Sequence, residues 1–216
     1  MRWYRRCAGV RVLVIEDRPF PPKPDAVFPN NWVSFHADGT VVLYPMHSPS
    51  RRRERRHDLV EAVCAQLGFI ERRRIDLTAH EAEGRFLEGT GSLVLDHGER
   101  VAYACRSPRT DETLVRDWCQ QLEYEPVIFD ANTPDGAPVY HTNVVLSIGS
   151  AFATAGLENI PDPAERARVL ARLTASGREV VALDPRQVAE FAGNGLELLG
   201  ADGRRIFALS ARAAAA

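Results

Sequence analysis

Two hydrophobic rhythms alternate along the chain. Short apolar runs bounded by Gly, Pro, Asn or Asp read as buried strands, and stretches with apolar residues every three or four positions read as amphipathic helices. Val10 to Ile15 is the first strand. Arg18 to Pro24 carries four prolines and must be an extended loop. Trp32 to His36 and Val41 to Pro45 flank the turn Ala37-Asp38-Gly39-Thr40, which predicts a hairpin. Arg51 to Gly68 predicts one helix, with Leu59, Val60, Val63, Cys64 and Leu67 on one face and Gly68 as its stop. Arg73 to Leu77 is the closing strand.

The same order then returns. Ser92–Asp96 and Arg100–Ala104 flank His97-Gly98-Glu99, Thr110–Leu122 is a helix with Asp111 near its cap, and Pro126–Phe129 closes the unit. A third copy runs through His141–Ile148, Phe152–Thr154, a helix from Pro163 to Ser176, and Glu179–Leu183. A fourth begins with Leu196–Leu199, a turn at Gly200-Ala201-Asp202-Gly203, and Arg205–Ser210. A period of roughly fifty to sixty residues signals a repeat architecture. The expected organisation is a single α/β domain of ββαβ units at about residues 27–77, 86–129, 140–183 and 193–212. Three units are complete on this reading. The strand at Val10 reads as the tail of an earlier unit and the last unit lacks its helix, so the chain is expected to be cut at both ends of a ring. Uncovered edges and apolar faces then predict marginal stability or self-association as a homo-oligomer.

Composition narrows the partners. With 216 residues and net charge −2, nothing global points to nucleic acid or an anionic membrane surface. No apolar run approaches a bilayer span, and the N-terminus lacks a signal-peptide core, so a cytoplasmic protein is expected. Cys7, Cys64, Cys105 and Cys119 are scattered with no CxxC pair, which fits reduced buried thiols better than a disulfide framework or a zinc site. Lys23 is the only lysine among the basic residues, so single arginines carry little weight. The run Arg51–Arg56 reads as a solvated helix start rather than a phosphate patch. His36, His47, His57, His80 and His97 lack ligand spacing and read as surface or turn residues, with no metal implied. Trp3, Trp32 and Trp118 read as packing residues.

The most informative stretch is Phe86-Leu87-Glu88-Gly89-Thr90-Gly91-Ser92. Two glycines free the backbone before an apolar run, so Glu88 can be held at the rim of a sheet. Alone it reads as a turn glutamate in solvent. The repeat changes that, because it places Glu88 at the inner end of a first strand, where His141 falls one unit later.

Repeated ββαβ units of this kind resemble the pentein fold of the guanidino-group-modifying enzymes. The stretches that carry the resemblance are Pro24-Asp25-Ala26-Val27-Phe28-Pro29-Asn30-Asn31-Trp32, Leu43-Tyr44-Pro45-Met46, Arg51 to Arg56, Leu87 to Ser92, His141-Thr142-Asn143 and Gly193-Asn194-Gly195-Leu196-Glu197. They cover about residues 10–212 and are similar to the amidinotransferase-like branch described as citrulline-utilisation hydrolases. The resemblance implies an α/β-propeller of five ββαβ units around a polar channel. It also implies a Cys-His-Glu mechanism on a ureido or guanidino C–N bond, with no cofactor and a citrulline- or arginine-like amino acid as substrate. By resemblance His141 is the general acid/base and Glu88 its carboxylate partner. Asn30 and Asn31 stand where deiminases carry a carboxylate; an amide donates and accepts, which suits a neutral ureido group. Asp25 matches an acidic position near the substrate. Arg109 matches a carboxylate-binding position, and Arg52 is a weaker candidate for that role. Asn30 and Asn31 also read as an Asx turn after Pro29, and both arginines as surface residues at helix starts.

The family nucleophile lies near the family's C-terminus, in a glycine-rich segment absent here. None of the four cysteines matches it, so this chain is expected to be inactive alone. An amidinotransferase and a dead ligand-binding pentein are the alternatives.

Overall fold

The computed structural model describes the backbone of residues 2–5 and 9–216, and the side chains from Gly9 onward except Arg11. Cys7 and the side chain of Trp3 lie outside the described residues. In chain order the elements are β1 (Arg2–Arg5), β2 (Arg11–Val14), β3 (Val33–Phe35), β4 (Thr40–Leu43), α1 (Pro49–Arg52), α2 (His57–Leu67), β5 (Arg73–Asp76), α3 (Gly89–Ser92), β6 (Val94–Asp96), β7 (Val101–Cys105), α4 (Glu112–Leu122) and β8 (Glu125–Phe129). There follow β9 (Leu146–Ile148), β10 (Phe152–Ala155), α5 (Pro163–Thr174), β11 (Glu179–Ala182), α6 (Pro185–Ala189), β12 (Leu196–Leu199), β13 (Arg205–Ala208) and α7 (Ala211–Ala214). The result is a mixed α/β fold.

Three sheets share one connectivity. Orders β3-β4-β5, β6-β7-β8 and β9-β10-β11 each join an antiparallel hairpin to a parallel third strand. A parallel return needs a crossover, which α2, α4 and α5 supply. β1-β2 and β12-β13 are two-stranded antiparallel sheets. Local chemistry sets the crossovers. The Asp111 carboxylate accepts the Leu114 N–H at 3.0 Å to open α4. The Asp162 carboxylate does the same for Ala164, with Pro163 in the first turn of α5. Gly68, at φ 67°, ends α2 in the left-handed conformation.

The central strand of the middle sheet divides the core. Val101, Tyr103 and Cys105 enter one cluster with Phe129, Leu146, Val169 and Leu173. Ala102 and Ala104 enter another with Tyr44, Leu93, Leu114 and Trp118. This is the two-residue strand period with both faces buried. Trp32 and Trp118 are buried packing residues.

Several sequence expectations need correction. The helix over Arg51–Gly68 is two helices, α1 and α2. Between and within them the arginines turn inward to loop acceptors: Arg52 Nε to the Met46 carbonyl at 2.9 Å, and Arg55 to Glu81 and the Tyr44 carbonyl. Arg51 is 4% exposed, so the run is not a solvated helix start. Ser92 ends a helical turn, and the strand begins at Val94. His141 likewise precedes a 3-10 turn, Thr142–Val144, rather than opening β9. Cys105 lies on the central strand of its sheet, with β6 paired on one side and β8 on the other.

Candidate functional site

The polar residues of interest cluster where the inner turns meet. Gly89 has φ +45°, and a Cβ there would stand 2.2 Å from the Asn30 carbonyl oxygen. A Cβ on Gly91 would meet Asn31 Oδ1 at 2.6 Å and His141 Nδ1 at 2.8 Å. The two glycines therefore let the Glu88 turn lie against the Pro29–Asn31 turn on one side and the His141 turn on the other. Asn30 Nδ2 donates to Asn31 Oδ1 at 3.1 Å, which fixes the two amides relative to each other.

Glu88 is fully buried and His141 is 4% exposed. His141 Nε2 lies 2.7 Å from Glu88 Oε2, although 53 positions separate them. The other carboxylate oxygen, Oε1, accepts the His47 backbone N–H at 3.0 Å. Arg109 Nη1 stands 3.5 Å and Arg51 Nη1 3.8 Å from Oε2. Burial alone would raise Glu88, but the His141 bond and charge, the His47 N–H and Arg109 hold it below the usual carboxylate range. Burial is also the largest influence on His141 and lowers it. Glu88 opposes that shift, Arg109 and Arg51 add to it, and the net direction is down. At neutral pH the pair is thus an ionised carboxylate holding a neutral imidazole. The carboxylate requires a donor, which places the ring proton on Nε2 and leaves Nδ1, facing Gly91 and Asn31, with its lone pair free.

The remaining predicted residues fall around this pair. Asn31 is buried and Asn30 half-buried. Arg109 is a third exposed and lies over the Tyr140 ring at 5.0 Å. Asp25 is exposed, and its carbonyl accepts from Arg51 Nη2 at 3.3 Å. Arg52 points away from Glu88, to the Met46 and His47 carbonyls and to Glu81. Arg51 instead faces Glu88, with its guanidinium paired to Glu54 at 2.9 and 3.0 Å. Sequence reasoning passed over Arg51; its one signal was Glu54 three residues on, the spacing of a helical pair.

Two of the described thiols are buried away from any base. Burial pushes Cys105 up to about 11 and Cys119 up to about 12. Cys64 is half-buried on α2. Among the described residues no group of three or more His, Cys, Asp and Glu could hold a metal ion, and no helix is long and apolar enough to cross a membrane.

No curated protein sequence matches the chain. Among solved structures, the fold is similar to ArgZ, an arginine dihydrolase from the ornithine-ammonia cycle in cyanobacteria. The TM-score is 0.63 at 18% identity, over 83% of this chain and 26% of that one. AgrE in ternary complex with ornithine and NAD+ gives 0.62 at 18%, over 80% and 23%. The DDAH of Pseudomonas aeruginosa, as a cysteine-to-serine mutant complexed with citrulline, gives 0.54 at 17%, over 86% and 62%. The chain thus spans about a quarter of the full-length ArgZ and AgrE chains. Residues 1–216 match the family described as N,N dimethylarginine dimethylhydrolase, eukaryotic, so the chain belongs to that family, within the pentein superfamily of guanidino-group-modifying enzymes.

Proposed function

We propose that this chain carries the acid/base half of a hydrolase site for a ureido or guanidino amino acid of the citrulline or arginine type. The buried 2.7 Å bond between Glu88 and His141 is the observation that carries this reading. The units stand as blades of an α/β-propeller, with Glu88 and His141 at the inner starts of adjacent blades. In the reaction, a cysteine thiol supplied from outside this chain passes its proton to His141 Nδ1 as its sulfur adds to the planar carbon, and the imidazolium so formed gives that proton to the departing nitrogen as the C–N bond breaks. Water then attacks the covalent adduct, His141 takes its proton, and the thiolate leaves. Glu88 holds the imidazole in one tautomer and stabilises its protonated form. Asn30 and Asn31 offer a donor and acceptors to a neutral ureido group, with Asp25 near the mouth. Arg109, with Arg52 in a lesser role, takes the substrate carboxylate.

The family and its structural neighbours are hydrolytic guanidino-modifying enzymes. Binding without turnover is a second reading of this chain taken alone, favoured by the raised Cys105 and Cys119 thiols. Calorimetric titration with citrulline and with arginine, alongside an ammonia and ornithine assay, tests both. Heat of binding that is lost in His141→Ala supports the site. Turnover that depends on Cys64, Cys105 or Cys119 would overturn the assignment of the thiol to another source.

A further inference from the structure

The Glu88–His141 bond joins two turns from different units, and neither turn reaches the other through its own sheet. What spans them is a set of hydroxyls. Thr142, next to His141, is fully buried, and its Oγ1 donates to the Ser92 carbonyl at 2.6 Å. The same oxygen accepts the Cys105 backbone N–H at 2.7 Å. Ser92, also fully buried, donates through Oγ to the Arg109 carbonyl at 2.9 Å and accepts the Glu88 N–H at 3.0 Å. Ser107 Oγ donates to the Tyr140 carbonyl at 2.8 Å and accepts the Arg109 N–H at 3.1 Å. Each hydroxyl thus uses its donor and an acceptor lone pair on backbone groups from separate segments.

We infer that Thr142, with Ser92 and Ser107, is a positioning residue that sets the distance and angle between Glu88 and His141. This rests on the acid/base reading of that pair. The physical basis is closure on both sides of the imidazole. Ser107 grips the residue before His141, and Thr142 grips the Glu88 turn from the residue after it. The backbone flanking His141 then has little freedom to slide along β7. A valine at position 142 keeps the volume but leaves the Cys105 N–H and the Ser92 carbonyl without that partner in a dry interior. A serine keeps the hydroxyl and loses only a methyl group.

The chemistry predicts a spectroscopic signature that packing alone would not move. In the unaltered chain, with histidine ring nitrogens labelled, the Nε2–H proton of His141 should resonate downfield and exchange slowly with solvent. His141 should also titrate below the ordinary value of 6.5. Thr142→Val should retain cooperative unfolding yet exchange that proton at least about tenfold faster, with the titration moving further below the ordinary value as the opposing Glu88 bond loosens. Thr142→Ser should restore both. A folded Thr142→Val protein with unchanged exchange and titration overturns the inference and leaves Thr142 a packing residue. If Thr142→Val does not fold, Ser107→Ala, at a half-buried site, decides the matter, because an unmoved His141 signal there also overturns it. Absence of the bonded Nε2–H signal in the unaltered chain sinks the Glu88–His141 reading itself, which is a different outcome from a signal insensitive to Thr142.

Discussion

The two ends of the first strands each enclose a histidine, and they treat it differently. At the starts of β6 and β9, His141 meets a carboxylate, with two guanidiniums nearby. At the end of β3, half-buried His36 meets a hydroxyl: its Nε2 lies 2.9 Å from Ser34 Oγ, which in turn lies 2.7 Å from Tyr44 Oη. Trp118 Nε1 donates to the same phenol at 3.0 Å. One unit on, His97 bonds Tyr124 Oη at 2.7 Å, its ring edge-on to the Tyr124 ring. Burial lowers all three imidazoles. Only at the inner end does a charge partner oppose that lowering through a direct bond. Enclosure makes a histidine neutral; a bonded carboxylate also fixes which ring nitrogen carries the proton.

Removing the partner should separate the ends most sharply. Glu88→Ala leaves the His47 N–H and the His141 Nε2–H without their buried acceptor, while Arg51 keeps Glu54, and should cost about 3 kcal/mol of stability by chemical denaturation. Ser34→Ala, at the other end, removes a neutral link while Trp118 still holds Tyr44, and should cost about 1 kcal/mol. Equal losses would erase the distinction. Glycine replacement gives the next contrast. Gly89→Ala drives a methyl toward the Asn30 carbonyl at a positive φ, and a loss of about 2 kcal/mol or more is expected. Gly98→Ala, in the hairpin beside His97, meets only ordinary contacts and should stay within about 0.5 kcal/mol.

Acid should act in two stages. His36, His97 and His141 have folded values below 6.5, so the unfolded chain binds protons first. Their contribution is complete above that value and is lost as pH falls below it. Glu88 is lowered from 4.5, so its contribution persists until pH falls below that point and then goes as well. Melting temperature against pH should show both steps, and His36→Asn should shrink the first while leaving the second. The smallest effect belongs to the surface. Arg74→Ala removes an exposed pair with Glu71 and should change stability by less than about 0.5 kcal/mol, and less still in high salt.

These contrasts also mark what could be read from the residues alone. The strands of β4 and β7 and the cap at Asp111 were legible because apolar runs and an acidic cap are local signals. Glu88 and His141 were legible only through the repeat, since nothing local distinguishes a turn glutamate in water from one in a dry interior. Arg51 was not legible. An arginine-rich run looks like a solvated helix face until a loop such as Asp25–Phe28 turns its carbonyls toward it. The break between α1 and α2 has the same origin. His36 was read as a turn residue because the aromatic neighbour that covers it, Trp118, comes from another unit.

The suture of Ser92, Ser107 and Thr142 has a consequence for the order of assembly. Every bond it makes across turns links positions that are distant in the chain, and the Glu88–His141 contact spans 53 positions. Such contacts reward the chain only after long loops have closed. The hairpins should therefore form early and the dyad last, so a refolding protein passes through species with native strands and an unformed site. Recovery of the slow His141 Nε2–H signal should lag behind recovery of strand content.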